Sequence, residues 1–136
     1  MDEKGSYNIL LLDDDEDDYL LIKDVLAEAF DAQVKLDWFQ RDNEAAEMVC
    51  SGSYALTLVD NQLGPQDGVE VIRNIKAQCP DQVVYLISGW QPEKVIENAR
   101  EAGANGYLRK KELTVERMQS EFTRYFNSGK KRAEAN

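Results

Sequence analysis

Leu56-Thr57-Leu58-Val59-Asp60-Asn61-Gln62-Leu63-Gly64-Pro65-Gln66-Asp67-Gly68 is the stretch from which the fold can be read. Its first four residues form a largely apolar run that reads as a buried strand, and the run stops at the carboxylate of Asp60. Gly64, Pro65, Asp67 and Gly68 are turn residues, and the spacing Val69-x-Val71-Ile72-x-x-Ile75 that follows is helical. Asp60 therefore stands where a strand ends and its side chain leaves the core. In open parallel α/β sheets that rim is where ligands bind.

The same strand–turn–helix grammar repeats on both sides. Upstream, Asn8–Leu12 is a short apolar strand of the kind buried on both faces. It runs into Asp13-Asp14-Asp15-Glu16-Asp17-Asp18, and Tyr19–Leu26 continues with helical spacing. Val34–Phe39 alternates and reads as a strand nearer an edge, and Asn43–Val49 is a helix stopped near Gly52. Downstream, the helix after Asp60 ends at Cys79-Pro80, and the buried strand Val83–Ile87 delivers Ser88-Gly89. Pro92 suits the first turn of a fourth helix that closes at Gly103. Asn105–Arg109 is a short fifth strand followed by Lys110-Lys111, and the last helix carries Leu113, Val115, Met118, Phe122 and Phe126. Five such alternations predict an α/β domain with a parallel sheet covered on both faces. The domain is expected to span residues 1–127, with 128–136 a polar C-terminal tail or linker carrying Lys130-Lys131-Arg132.

A length of 136 residues with 43% apolar content allows one domain with a sound core. No apolar run reaches membrane-spanning length and no signal-peptide pattern opens the chain, so a soluble cytoplasmic protein without membrane insertion is expected. The formal charge of −10 argues against direct nucleic-acid binding and favours metal cations and basic protein surfaces. Histidine is absent, which removes Ser-His-Asp triads and imidazole metal sites. Cys50 and Cys79 have neither metal-ligand nor redox-motif spacing and are expected as reduced thiols.

Carboxylates at a helix start commonly cap free N–H groups and favour the positive end of the helix dipole. That role is assigned to Asp15, as N-cap, and to Glu16, Asp17 and Asp18. Asp13 and Asp14 still belong to the strand end, and would face Asp60 if the first and third strands are neighbours. Three carboxylates in one cleft repel each other, and a hard divalent cation such as Mg²⁺ would offset them. The fourth strand delivers the hydroxyl of Ser88, and the fifth the ammonium of Lys110. Each has an ordinary surface role when taken alone. Together, a carboxylate, a cation site, a hydroxyl and an ammonium at strand ends form a phosphoryl-transfer site with Asp60 as nucleophile.

The motifs Leu12-Asp13-Asp14, Val59-Asp60 with Asp67-Gly68, Ile87-Ser88-Gly89 and Gly103-Ala104-x-Gly106-Tyr107-Leu108-x-Lys110 resemble the response-regulator receiver domains of two-component signalling, over roughly residues 7–127. The resemblance implies a flavodoxin-like, doubly wound five-stranded parallel sheet of order 2-1-3-4-5 with five helices. It implies that Asp60 accepts a phosphoryl group from the phosphohistidine of a cognate histidine kinase or phosphotransfer protein. Asp14, Asp60 and the backbone carbonyl of Gln62 would ligate Mg²⁺, with Asp13 acting through water and Lys110 neutralising the phosphoryl group. Ser88 and Tyr107 would be the switch pair, signalling through helix four, strand five and helix five to a downstream protein or a fused output domain. The chain would be a phosphoacceptor with self-catalysed phosphorylation and dephosphorylation rather than an enzyme. Homodimer formation is left open.

This sequence departs from the family pattern in places. Lys110-Lys111 stands where many members have Lys-Pro with a cis peptide; a cis bond before a non-proline residue costs about 3–4 kcal/mol, so a trans bond is expected. Gly64 replaces a common proline, with Pro65 one place later. Gln62 and Trp90 flank the expected path of an attacking water; Trp90 either shields the acyl phosphate and lengthens its life or is an exposed aromatic that serves a partner surface. Three other readings compete with this one. A receiver excised from a larger sensor kinase or PAS-containing protein fits equally well. An aspartate-nucleophile phosphohydrolase would need a second acid where Gln62 stands. A flavodoxin-like nucleotide binder would need a glycine-rich phosphate loop in place of the acidic run 13–18.

Overall fold

Five parallel strands carry the chain in this computed structural model, which describes residues 7–41, 45–63, 66–89 and 92–127. They are β1 (Tyr7–Leu12), β2 (Val34–Phe39), β3 (Tyr54–Asp60), β4 (Val84–Ser88) and β5 (Gly106–Arg109). Their order across the sheet is β2-β1-β3-β4-β5, and every neighbouring pair is parallel. The helices are α1 (Glu16–Phe30), α2 (Ala45–Ser51), α3 (Gly68–Gln78), α4 (Glu93–Glu101) and α5 (Val115–Asn127). This is the doubly wound flavodoxin-like fold, with the strand order that the resemblance to receiver domains implied.

Period-two alternation builds two cores from one sheet. Ile9, Leu11, Leu58, Tyr85, Ile87 and Leu108 point to one face and pack with Ile22 and Leu26 of α1 and with Met118 and Phe122 of α5. Leu10, Leu12, Val59, Val84 and Leu86 point to the other and meet Val49 of α2, Ile72 and Ile75 of α3, and Ala99 of α4. The central strands are buried on both sides, which is why they read as continuous apolar runs. β2 is the half-buried edge strand that its alternation suggested.

The boundaries follow local chemistry. Asp15 is the N-cap of α1 and accepts the Asp17 N–H at 2.9 Å. Pro92 sits at the N-cap of α4, one place earlier than expected, and α4 ends before Gly103, whose φ of 105° suits glycine. All peptide bonds between described residues are trans, Lys110–Lys111 included. That segment forms a 3₁₀ turn, closed by the Arg109 N–H donating to Glu112 Oε1 at 2.8 Å.

One expectation is overturned. Cys50 and Cys79 are not free thiols but form a disulfide. They lie 29 residues apart, in the last turn of α2 and at the C-cap of α3. Packing of those two helices brings their Cα atoms to 5.6 Å, within bonding reach. A proximity made by tertiary packing leaves no local spacing to read.

Candidate functional site

Strand alternation sorts the carboxyl-end rim before any loop is considered. Asp13 continues the Ile9–Leu11 face, Asp60 the Leu56–Leu58 face, and Lys110 stands two residues beyond Leu108. All three belong to the side covered by α1 and α5. The chain leaves β1, is capped by Asp15 and enters α1 at once, so the first turn of α1 returns Asp18 to the same point. Carboxylate oxygens of Asp13, Asp18 and Asp60 all lie within 4.8 Å of one another. The Lys110 ammonium bridges two of them, at 2.5 Å from Asp18 Oδ2 and 3.4 Å from Asp60 Oδ1.

The cluster is largely removed from water. Asp13 is fully buried and Asp60 is 5% exposed. Asp13 Oδ1 accepts the Asp15 N–H at 2.9 Å, and the Trp38 indole N–H donates to the Asp13 backbone carbonyl at 2.6 Å. The Trp38 ring stacks on Tyr19. Burial pushes the Asp13 carboxyl up to about 8, opposed by the Asp15 N–H and reinforced by the charges of Asp60 and Asp18. Burial likewise raises Asp60 to about 6, against the pull of Lys110 and with help from Asp18 and Asp14. For Lys110 burial works against the cation, yet the Asp18 hydrogen bond and the charges of Asp60, Asp18 and Asp13 more than offset it, so its pKa is raised.

These residues fit a hard divalent cation. Asp13 Oδ2 is buried and has no hydrogen-bond partner, a costly state for a carboxylate oxygen that a cation would relieve. One ammonium faces three acid groups, so the cluster lacks positive charge. Of the other expected ligands, Asp14 is exposed and outside the close group, and Gln62 is exposed in the short antiparallel ladder Gln62–Leu63/Gln66–Asp67 that follows Asp60.

The turn after Asp60 needs its glycine. A Cβ on Gly68 would lie 2.3 Å from the Asp60 carbonyl oxygen and 2.8 Å from the Asn61 Cα. With glycine there, the Gly68 N–H donates to the Asn61 carbonyl at 2.9 Å and α3 starts directly beneath the end of β3.

The model of the response regulator receiver domain matches residues 9–122. The chain belongs to that family. A curated cyclic di-GMP phosphodiesterase of Thermotoga maritima is 28% identical over 105 residues, which make up 75% of this chain and 26% of that protein. The chain thus spans about a quarter of the curated relative's length. Among solved structures, the Mn²⁺-bound form of response regulator Rcp1 is 26% identical, with a TM-score of 0.70 and coverage of 90% of this chain and 96% of that one. The signal receiver domain of a putative LuxO repressor protein from Vibrio parahaemolyticus has a TM-score of 0.77 at 15% identity, covering 96% and 98% of the two chains.

The Asp13–Asp18–Asp60 cluster fits the phosphoacceptor site of a receiver domain. The remaining rim residues of this receiver fall on the opposite side of the sheet. Ser88, 2% exposed, continues the Val84–Leu86 face one position beyond Ile87, which pairs with Asp60. Tyr107 pairs with Leu86 and is half-buried. It lines a cavity of about 290 Å³ with Ile96, Ala99, Arg100 and Ala104. Trp90, Gly64, Pro65 and the 128–136 tail lie outside the described residues. Asp18 is the residue that the capping argument misplaced. It is three residues past the N-cap, and its carboxylate turns back to Lys110 instead of only sweetening the helix end. Its partner Lys110 is 92 residues away, so no local spacing pointed to it.

Proposed function

We propose that this receiver is a phosphorylation switch in which Asp60 takes a phosphoryl group from the phosphohistidine of a cognate histidine kinase or phosphotransfer protein. The observation that carries the reading is the buried Asp60 carboxylate, held 3.4 Å from the Lys110 ammonium at the end of a central strand. An Asp60 oxygen attacks phosphorus, the phosphorus–nitrogen bond breaks, and the imidazole departs with a proton. Lys110 offsets charge on the transferring oxygens and is kept protonated by Asp18. Asp13 and Asp60, with Asp14 and the Gln62 carbonyl at the rim, would hold Mg²⁺, which supplies the positive charge that the acid cluster lacks. Ser88 then reports on the phosphoryl group, and Tyr107 moves into the space beside α4.

The domain spans 1–127, and its output passes through α4, β5 and α5 to another protein. The curated relative favours a second form of the same reading, in which the receiver is covalently joined to the output domain that it controls. Among the described residues no helix is long and apolar enough to cross a membrane.

Intact mass after incubation with acetyl phosphate and Mg²⁺ tests the chemistry. Wild type should gain one phosphoryl group, while Asp60→Asn should gain none and chelation of the metal should abolish the gain. An unmodified wild type, or a modified Asp60→Asn, would overturn the assignment.

A further inference from the structure

We propose that Cys50 and Cys79 form a reversible thiol–disulfide site that locks α2 onto α3, with low-molecular-weight thiols and disulfides of the glutathione class as its reactants. The case begins with how little else holds α2. It is seven residues long, below the length at which a helix holds itself in water. Glu47, Met48 and Ser51 are exposed, and Val49 is its one fully buried side chain among the described residues. The bond from Cys50 to Cys79 joins this weakly anchored helix to α3, which buries Val69, Val71, Ile72 and Ile75 and is firmly part of the core. Breaking the bond frees one element and leaves the rest of the fold in place.

Access supports reversibility. Both cysteine residues are only half-buried, at the surface ends of their helices, where a small thiol can approach. In the reducing direction a glutathione thiolate attacks one sulfur, the protein S–S bond breaks, and the second cysteine leaves as a thiolate. A second glutathione thiolate resolves the mixed disulfide and releases oxidised glutathione. Two electrons and two protons have then passed from two thiols to the protein, and the oxidising direction runs the same steps backwards. The tether lies at the end of α3 remote from Gly68 and Asp60, so the site operates whether or not Asp60 carries a phosphoryl group.

The experiment equilibrates the full chain in glutathione buffers from fully reducing to fully oxidising. Free thiols are trapped with iodoacetamide and read by mass, with hydrogen exchange followed over residues 45–51. Cys50 and Cys79 should alkylate together along one transition, and exchange in α2 should be about tenfold faster in the reduced form. Cys50→Ser should leave Cys79 alkylated in reducing buffers and carrying a glutathione mixed disulfide in oxidising ones, and hold α2 at the fast rate throughout. Thiols free in all buffers, a disulfide that survives the most reducing one, or α2 exchange that ignores the redox state would each overturn the proposal. The wild-type measurements decide it even if the variant does not fold.

Discussion

The two sides of the sheet meet at one rim and are built on opposite principles. On the α1–α5 side, Asp13, Asp18, Asp60 and Lys110 are pressed together by direct bonds, with Asp13 held by a backbone N–H and the Trp38 indole at its carbonyl. On the α4 side, Tyr107 borders a cavity of about 290 Å³, while Ser88 lies buried on the neighbouring strand. One side is charged and tied together by ion pairs. The other has room beside Tyr107. Under the proposed switch, a charge placed on the first would be expressed as movement on the second, because close-packed groups have nowhere to go.

The sharpest way to break this comparison is to remove the charge strain from the charged side. A carboxyl whose folded pKa is raised keeps its proton longer in the native state than in the unfolded chain. Its contribution is favourable at low pH and is lost as pH rises through the folded value. For Asp60 that window runs from 3.8 to about 6, and for Asp13 it extends to about 8. The Asp60 shift alone corresponds to about 3 kcal/mol. Without divalent cations, thermal unfolding should therefore show lower stability at pH 8 than at pH 5, and Mg²⁺ should recover most of the loss at pH 8. Asp13→Asn should be more stable than wild type at pH 8 without cations and should gain little from Mg²⁺. The overall charge of −10 also disfavours high pH, but it acts on both proteins and leaves their difference intact. Equal pH slopes for the two would mean that Asp13 is not under strain.

A smaller effect separates the roles of the acid groups. Asp18 is both the closest partner of Lys110 and a member of the carboxylate cluster. In Asp18→Asn the ammonium should shift toward Asp60, and the cluster loses one charge. Mg²⁺ affinity should then fall about tenfold, the size typical of losing a supporting group around a metal. Trp38 is the natural reporter, since its indole bonds the Asp13 carbonyl and its fluorescence should respond to cation binding. Unchanged affinity would make Asp18 a helix-cap residue after all.

How much of this was legible in the sequence depends on the range of the interaction. Five strands, their helices and the rim positions of Asp60, Ser88 and Lys110 all follow from apolar runs, period-two alternation and helical patterns, which are local. Asp15 as N-cap follows from chemistry two residues away. Asp18 was misread because its partner Lys110 is 92 residues distant, and a capping role accounted for it without that partner. The disulfide was missed for the same reason, since Cys50 and Cys79 meet only after α2 and α3 have packed. Gly68 was read as a turn residue, whereas what it needs is the absence of a Cβ against the Asp60 carbonyl, and only the folded loop shows that.

The smallest expected effect sharpens the loose side of the comparison. A buried core aromatic truncated to alanine costs about 3–5 kcal/mol, because a cavity replaces packed atoms. Tyr107 already borders a cavity and is only half-buried; Arg109 lies over its ring at 5.9 Å, a contact of modest worth at this exposure. Tyr107→Ala should therefore cost about 1–2 kcal/mol in urea denaturation, well below the core figure. Gly106→Ala, at the neighbouring position, is the control for tight packing: its new Cβ would lie 2.7 Å from Tyr85 Cε2, so it should cost about 1–3 kcal/mol although it removes nothing. If Tyr107→Ala proved as costly as a core truncation, the α4 side would be as rigid as the acid side. The rim would then have no soft half through which a phosphoryl group at Asp60 could act.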